Sequence, residues 1–401
     1  MTTTAASTAP LDAILFASFG GPEGQDDVIP FLRNVTRGRG VPDERLEEVA
    51  GHYRALGGVS PITAQNRALI TQLEAELASR GIDLPVYFGN RNWAPYTADA
   101  LADLHRDGHR HVLALVTSAY SSYSGCRQYR EDFAQRLDEA GLLGEVEITT
   151  SRSYFNHPGF LDPVVDGVRA ALEDLAREGH DADSTTVLFS THSIPLEMAA
   201  ASGPAGAGAD GQGGWYVAQH LAACRYVMDQ LHDDLPELPD WKLVYQSRSG
   251  APHVPWLEPD VNDVIEELAQ EEAADAVVVV PIGFVTDHVE VIWDLDTEAK
   301  ETAQEKGLAF RRVATSGTDP RFVAALADLV EEHRDPARER RAVTELGAAS
   351  DLCGPNCCQV SASRAVPADR SIDTLEEIAA MMREKTESSR AVLPQEAGQP
   401  A

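Results

Sequence analysis

The sequence has no apolar run long enough to cross a membrane. One of its longest, Ala276 to Ile282, falls far short of the ~20 residues that a spanning helix needs. The first ten residues contain no Lys or Arg and no apolar core, so they resemble neither a secretory signal nor a transit peptide. We therefore expect a cytoplasmic protein with no integral membrane segment.

Positive charge and cysteine are also scarce. The chain has 33 Lys and Arg against 64 Asp and Glu, which gives a formal net charge of −31. Such a surface repels phosphate backbones and anionic lipids, so nucleic acid is an improbable partner. Basic residues near the first predicted turn, such as Arg37 and Arg39, stand out against this background as candidates for receiving an anionic substrate. Five cysteines in a cytoplasmic chain argue against a disulfide framework.

Strand-like and helix-like segments alternate along the 401 residues, which predicts parallel sheets. The predicted strands are Ala13–Ser18, Pro85–Gly89, Val112–Thr117, Val146–Thr150, Val187–Thr191, Leu243–Gln246, Val277–Ile282 and Phe310–Ala314. They divide four and four, so we expect an α/β protein of two Rossmann-like domains with helices on both faces of each sheet. The site should lie in the cleft between them, at the carboxyl ends of the strands.

The predicted limits are residues 11–150 for the first domain and 151–335 for the second. A C-terminal extension, 336–385, carries most of the cysteines, and residues 386–401 read as a disordered tail rich in Gln, Gly, Pro and Ala. Within the first domain, Ser60 and Pro61 are typical of a helix N-cap and first helical position, with the helix continuing through Leu77.

Two short segments carry the chemistry. Leu188 to Pro195 and Pro281 to Glu290 each read as a buried strand that breaks into a polar turn. His192 in the first and Glu290 in the second offer an imidazole and a carboxylate, which suit ferrous iron and would leave its coordination sphere incompletely filled. The residues alone also allow His192 to be a core histidine, and Glu290 and Asp287 to be first-turn acids of a helix.

Both segments closely resemble the central signatures of ferrochelatases, the enzymes that insert ferrous iron into a porphyrin. The resemblance runs in order from about residue 12 to about residue 335. Its other matching segments are Ser18 to Glu23, Arg37 to Arg39, Gly57 to Ile62, Tyr87 to Trp93 and Tyr120 to Tyr129. It implies a chelatase-type fold with Fe²⁺ as a substrate.

The resemblance also implies roles for single residues. His192 is the base or iron ligand on one face, expected to be largely neutral near pH 7, and Glu290 opposes it. Glu290, Asp294 and Glu298 recur every four residues, as in the acidic row that leads metal to the porphyrin in related enzymes. The spacing by itself equally allows a solvated helix face.

Porphyrin contacts are implied for Ser60 and Tyr129, which align with positions that touch the porphyrin in the family, and Arg37 and Arg39 match its basic segment. The chain departs from some bacterial relatives at one position. Where they have a tyrosine that ligates iron axially, this chain has Phe19, whose ring cannot ligate iron.

Three of the five cysteines, Cys353, Cys357 and Cys358, fall within six residues. Three thiolates leave a four-thiolate site one short, and Cys126 is the best fourth. Some ferrochelatases carry a [2Fe–2S] cluster on three C-terminal cysteines and one internal cysteine, so the resemblance implies such a cluster here; a structural zinc site is the alternative. Cys224 reads as a small buried hydrophobe.

The resemblance to Gram-positive-type members favours coproporphyrin III as the substrate and coprohaem as the product. A decarboxylase that converts coprohaem into haem is then the expected neighbour. The alternatives are a protoporphyrin IX ferrochelatase and a haem-binding or iron–sulfur protein without catalysis.

Overall fold

Two four-stranded parallel sheets form the centre of the computed structural model, which describes residues 10–38, 40–204, 213–232, 235, 237–250, 253–351, 357–360 and 374–391. The strands are β1 Ala13–Ser18, β2 Val86–Asn90, β3 His111–Val116, β4 Glu147–Thr150, β5 Thr185–His192, β6 Asp240–Gln246, β7 Ala276–Val280 and β8 Ala309–Arg312. All eight predicted strands are present, with ends displaced by three residues at most.

The two sheets have the same topology. Their strand orders are β2-β1-β3-β4 and β6-β5-β7-β8, and every pairing is parallel. Strand β7 is buried along its whole length, as expected where helices cover both faces of a parallel sheet. The predicted fold class, two α/β units with parallel sheets, is therefore confirmed.

Helices connect the strands and cover the sheets. They are α1 Val28–Val35, α2 Asp43–Ala55, α3 Ile62–Ser79, α4 Thr97–Arg106, α5 Gln128–Glu139, α6 Pro158–Glu178, α7 Leu196–Ala200, α8 Gly214–His232, α9 Val261–Gln270, α10 Val289–Val291, α11 Lys300–Glu305, α12 Pro320–Arg334 and α13 Leu375–Ala391. Two segments, Tyr123–Arg127 and Ile292–Ala299, are π-helical. No helix among these described segments is both long enough and apolar enough to span a bilayer.

The predicted N-cap at Ser60 is wrong. Helix α3 begins at Ile62 with Pro61 at the cap position, and no side chain caps it. Ser60 is instead part of a tight contact between two turns, where its amide donates to the carbonyl of Pro22 at 2.8 Å. A Cβ on Gly21 would lie 2.5 Å from Cβ of Ser60, so only glycine fits at that position.

Helix α12 follows the second sheet in sequence but packs against α3, which covers the first sheet, and against α6. One hydrophobic core consequently runs through both sheets, from Phe16 in β1 to Phe189 in β5. Polar contacts reinforce this junction, because Arg80, directly after α3, donates to Asp328 and Glu331 of α12, each at 2.6 Å. The exact domain limits, near residues 150 and 335, stay a prediction.

The last helix, α13, packs against α5 by placing Ile378 on Ala134. It continues to Ala391, so the first residues of the stretch predicted as a disordered tail, 386–401, are helical. The preceding Glu, Lys and Arg residues are strong helix formers that carry the helix onward. Residues 392–401 lie outside the described residues.

Candidate active site

The two predicted functional segments meet where the strand order of the second sheet reverses. Strand β5 ends at His192 and its neighbour β7 ends at Val280, so the loops that follow them flank the crevice between the two strands. Open α/β sheets bind ligands at this kind of switch point. The turn after β7 is close to β5, because a Cβ on Gly283 would lie 2.1 Å from Oγ1 of Thr191.

His192 and Glu290 form an ion pair across this crevice. Nε2 of His192 lies 3.4 Å from Oε1 of Glu290, and the two side chains are 33% and 41% exposed. The other ring nitrogen, Nδ1, hydrogen-bonds to the carbonyl of Ser193. That carbonyl can only accept, so Nδ1 carries a proton and Nε2 is the atom presented to Glu290.

The pair is charged in the free protein. Burial alone would lower the pKa of His192, but the negative charge of Glu290 outweighs it and raises the pKa to about 9. Burial would likewise raise the pKa of Glu290, whereas the facing imidazolium lowers it to about 2. The expectation of a largely neutral His192 near pH 7 is therefore wrong for the free protein, because sequence could not show how close Glu290 lies.

Asp294 lies beside this pair. Burial and the charge of Glu290 raise the pKa of Asp294 to about 7. Its Oδ2 accepts hydrogen bonds from the Ser247 hydroxyl and, at 3.2 Å, from Nε2 of Gln246. Ser247 also lies close enough to Glu290 to help lower the pKa of that carboxyl, so one residue contacts both acids. Near neutral pH, Asp294 can therefore take up or release a proton.

The acidic row runs along a helical stretch that is π-helical from Ile292 to Ala299. A wider π turn brings residues four apart into closer alignment than an α turn does, and such segments are frequent at functional sites. Glu298, the outer member, accepts from Nε1 of Trp293 at 2.8 Å. It also borders an open groove of about 330 Å³ together with Glu301 and Glu305.

Helix α2 of the first half faces the acidic row. His52 stacks on Trp293 with ring centroids 4.3 Å apart. Tyr53 is close enough that Glu290 and Asp294, together with burial, raise its pKa. The two halves thus meet at the acidic row as well as at α12.

Two other polar residues of the second segment have structural partners. Asp287 forms a salt bridge with Arg312 of β8, and its amide donates to Oε1 of Gln65 at 2.8 Å. His288 packs edge-on against Phe284 and is largely shielded, which lowers its pKa.

The porphyrin contacts predicted in the first half lie around the carboxyl ends of β1 and β3. Ser60 is 3% exposed and Tyr129 is 4% exposed. The guanidinium of Arg91 lies 4.9 Å from the ring centre of Tyr129 and 5.9 Å from that of Phe19. Phe19 itself is 38% exposed, so this aromatic and cationic group is accessible to solvent at Phe19.

Of the two predicted arginines, only Arg37 lies among the described residues. Arg37 is exposed after α1, and its Nη2 donates to Oδ1 of Asn34 at 2.5 Å. Arg39 lies outside the described residues. Arg54, part of the same basic cluster in sequence, is paired with Glu47 at 2.8 Å.

Three of the four predicted cluster cysteines lie together. The thiols of Cys126 and Cys358 are within hydrogen-bonding contact, and the Sγ atoms of Cys357 and Cys358 are 3.7 Å apart. Cys358 has a left-handed backbone with φ of 56°, and its Sγ accepts from the amide of Gly203 at 3.3 Å. Cys353 lies outside the described residues.

Cys224 is fully buried in α8, as predicted for a small hydrophobe. None of the four described cysteines is in a disulfide. Within the described ranges, no three His, Cys, Asp or Glu side chains converge closely enough to hold a metal ion.

Sequence reasoning missed several residues of the site. Ser247 follows the end of β6, and a polar residue directly after a predicted strand was a usable signal. Tyr53 gave no such signal, because it faces the acidic row only through the packing of the two halves. Arg91 was inside the matching segment Tyr87 to Trp93, but its contacts with Phe19 and Tyr129 depend on two loops and a helix that are far apart in sequence.

The two parallel sheets with an acid–base pair at a switch point define an α/β enzyme. Residues 11–334 match the family model described as Ferrochelatase, and the chain belongs to the ferrochelatase family. It is 57% identical over 357 residues to the coproporphyrin III ferrochelatase of Leifsonia xyli, covering 87% of this chain and 91% of that protein.

A second relative, the coproporphyrin III ferrochelatase of Streptomyces griseus, is 54% identical over 362 residues, covering 89% of this chain and 95% of that protein. Among solved structures, SirB from Bacillus subtilis with Fe³⁺ has a similar fold. The superposition covers 83% of this chain and 99% of SirB, with a TM-score of 0.46 and 14% sequence identity.

Proposed function

We propose that this protein inserts ferrous iron into coproporphyrin III to give coprohaem. The observation that carries the proposal is the His192 and Glu290 pair, 3.4 Å apart at the switch point of the second sheet and open to the cleft. The reaction exchanges two pyrrole protons for one Fe²⁺. It therefore needs a metal ligand and a proton acceptor beside a slot that holds the porphyrin. The pair supplies both types of group.

The charge on the pair suggests an order of events. In the free protein the imidazolium of His192 is stabilised by the carboxylate of Glu290. An Fe²⁺ ion that binds Glu290 adds positive charge beside that imidazolium and favours loss of its proton. Loss of that proton to solvent leaves His192 neutral, so Nε2 can accept one of the two pyrrole protons while the other passes to solvent, and iron arrival and base activation are coupled.

The acidic row provides the approach for iron. Glu298 borders the outer groove, Asp294 comes next, and Glu290 ends the row at His192. Carboxylates suit a hydrated divalent ion, and Asp294, with a pKa of about 7, can exchange a proton for metal charge. We propose that Glu298 and Asp294 form this metal path.

Propionates of the porphyrin carry negative charge and require donors or cations. We propose Arg37, Arg39, Ser60 and Tyr129 for these contacts, as implied by the family resemblance. The accessible position of Arg37 supports its role. Because Ser60 and Tyr129 are shielded, we assign them to the back of the slot rather than to its rim.

We further propose that Cys126, Cys353, Cys357 and Cys358 hold a [2Fe–2S] cluster. Two thiolates on one tetrahedral metal at about 2.3 Å stand about 3.8 Å apart, and the Sγ atoms of Cys357 and Cys358 are 3.7 Å apart. The amide of Gly203 donates to Cys358, and such bonds to sulfur tune cluster potentials. When bound, the cluster would supply a one-electron redox centre.

The decisive experiment is anaerobic Fe²⁺ insertion by the purified protein, followed by visible absorbance, with coproporphyrin III and protoporphyrin IX offered separately. A preference for coproporphyrin III supports the proposal, and coprohaem would then pass to a decarboxylase. A preference for protoporphyrin IX would contradict the substrate assignment, and no turnover with either would favour a binding protein. We propose a cytoplasmic location, which cell fractionation tests.

A further inference from the structure

A continuous chain of hydrogen bonds leads from Cys126, in the π-helical segment Tyr123–Arg127, to helix α8. Ser153 donates to the thiol of Cys126. Oγ of Ser153 lies 3.0 Å from Oγ of Ser121, which in turn accepts from Nε2 of Gln219 at 3.2 Å. The hydroxyl protons can therefore all point one way, from the amide of Gln219 towards the sulfur.

Both the oxygen and the nitrogen of the Gln219 side-chain amide are hydrogen-bonded to Ser121. Its Oε1 accepts from the backbone N–H of Ser121 at 2.8 Å, and the side chain is fully buried. A buried amide with both ends bonded fixes the separation of the two elements that it joins, because losing either bond leaves a polar group unsatisfied. The next residue along, His220, is stacked on Tyr120 with ring centroids 3.7 Å apart.

Helix α8 in turn holds the end of β5. Nε2 of His220 lies 2.9 Å from Oγ1 of Thr191. The hydroxyl of Tyr216 lies 2.9 Å from that same oxygen and donates to the carbonyl of His192 at 2.9 Å. Tyr216 and His220 are one helical turn apart, so a small shift of α8 moves both contacts together.

A second contact joins the cysteine site to the start of α8. Gly203, whose amide donates to Cys358, has φ of 79°, and a Cβ on it would lie 2.4 Å from Trp215. The cysteine site is therefore linked to α8 at two places about one turn apart, through Gly203 at Trp215 and through Ser153 and Ser121 at Gln219.

We propose that Gln219 is a positioning residue that couples Cys126 to His192 through helix α8. The expected effect on kcat rests on the proposed iron insertion. The coupling between Cys126 and His192 does not, because it is a structural property of the chain. Coupling of this kind is established by a double-mutant cycle, since contact alone does not measure it.

The test uses the full-length protein and the substitutions Gln219→Leu and Cys126→Ala, singly and together. Two readouts are taken: the imidazole resonances of His192 in ¹³C/¹⁵N-histidine-labelled, metal-free protein, and kcat and KM for iron insertion. We expect each single variant to shift the His192 resonances and to lower kcat about threefold to tenfold at unchanged KM. The double variant should match Gln219→Leu alone.

Val227→Ala is the matched control, because Val227 is fully buried on the same helix and lies among apolar side chains of the core. It should lower stability and leave the His192 resonances and kcat unchanged. If Gln219→Leu does not fold, Ser121→Ala removes only the hydroxyl link and should give a smaller effect of the same kind.

Unmoved His192 resonances in Gln219→Leu, or effects of the two substitutions that simply multiply, would overturn the coupling. A wild-type protein that inserts no iron would contradict the proposed function instead. The resonance measurements would then still decide the coupling, because they need no substrate.

Discussion

Arg152 and Glu332 form a two-pronged ion pair that ties the end of the first half to helix α12. Nε and Nη2 of Arg152 donate to the two carboxylate oxygens of Glu332 at 2.7 and 3.0 Å, and both residues are buried. A third bond runs from Nη2 to the carbonyl of Arg341. The guanidinium is thus fully engaged inside the protein.

Removing Arg152 should therefore be costly. Arg152→Met leaves the Glu332 carboxylate buried without its partner, and we expect a loss of about 3–5 kcal/mol in the free energy of unfolding, measured by urea denaturation. Arg106→Met removes an exposed pair with Asp103, which water screens, and should change the free energy of unfolding far less. Equal losses in the two variants would contradict the role of burial.

His192 should be required for iron insertion but not for porphyrin binding. His192→Ala removes both the proton acceptor and the partner of Glu290, and we expect the rate of insertion to fall at least about 100-fold. Porphyrin binding, followed by fluorescence quenching, should remain measurable. His111→Ala, which removes a histidine paired with Glu147 at the start of β3, serves as the control. Normal turnover in His192→Ala would remove His192 from the mechanism.

The two ends of the acidic row should differ kinetically. Glu290→Gln removes the group facing His192 and should lower kcat, whereas Glu298→Gln at the outer groove should raise the KM for Fe²⁺ with kcat nearly unchanged. Initial rates over a range of Fe²⁺ concentrations separate the two effects. If Glu298→Gln instead has no effect on either constant, the row is a solvated face, as the spacing alone allowed.

His220 should make stability depend on pH. Burial holds its pKa at about 3, against about 6.5 in an unfolded chain. Between these values the unfolded chain binds one more proton, so stability is lost as the pH falls below about 6.5.

Urea unfolding at pH 7.5 and pH 5.0 measures this loss. It should be about 2 kcal/mol smaller in His220→Gln than in the wild type, since one proton contributes about 1.4 kcal/mol per pH unit. The same loss in both proteins would mean that His220 titrates normally in the folded state.

The cysteine assignment has a visible consequence. If a [2Fe–2S] cluster is present, the purified protein should be brown, and Cys353→Ala should bleach it. Cys224→Ala changes a cysteine buried in α8, away from the proposed ligands, and should leave the colour intact. A visible spectrum unchanged by Cys353→Ala would rule out the cluster as assigned, and colourless protein that contains zinc would favour the alternative metal.

The strands were predictable because alternation and apolar runs are local signals. Strand β1 begins and ends at the predicted residues, and β5 differs only by an earlier start and one residue at its end. The proximity of His192 to the segment ending at Glu290 could also be predicted, since both follow neighbouring central strands. The charge state of the pair was not, because it depends on a distance between residues 98 positions apart.

Longer-range packing was equally hidden from the sequence. The π-helical geometry at Asp294 interrupts a pattern that reads as an ordinary α-helix. The stacking of His52 on Trp293 joins segments whose amphipathic patterns are unremarkable when taken singly. The unexpected role of Ser60 arose in the same way, because the contact with Gly21 competes with the capping geometry that its local sequence favours.

The position of helix α12 has a consequence for biosynthesis. The helix ends at Arg334 yet covers α3, which ends at Ser79, so the apolar face of α3 stays uncovered until the ribosome has made most of the chain. At about 5–20 residues per second, that interval lasts on the order of tens of seconds. The first sheet can form early, but its outer layer is completed last, and a nascent chain that stalls before Pro320 exposes a surface suited to chaperone binding.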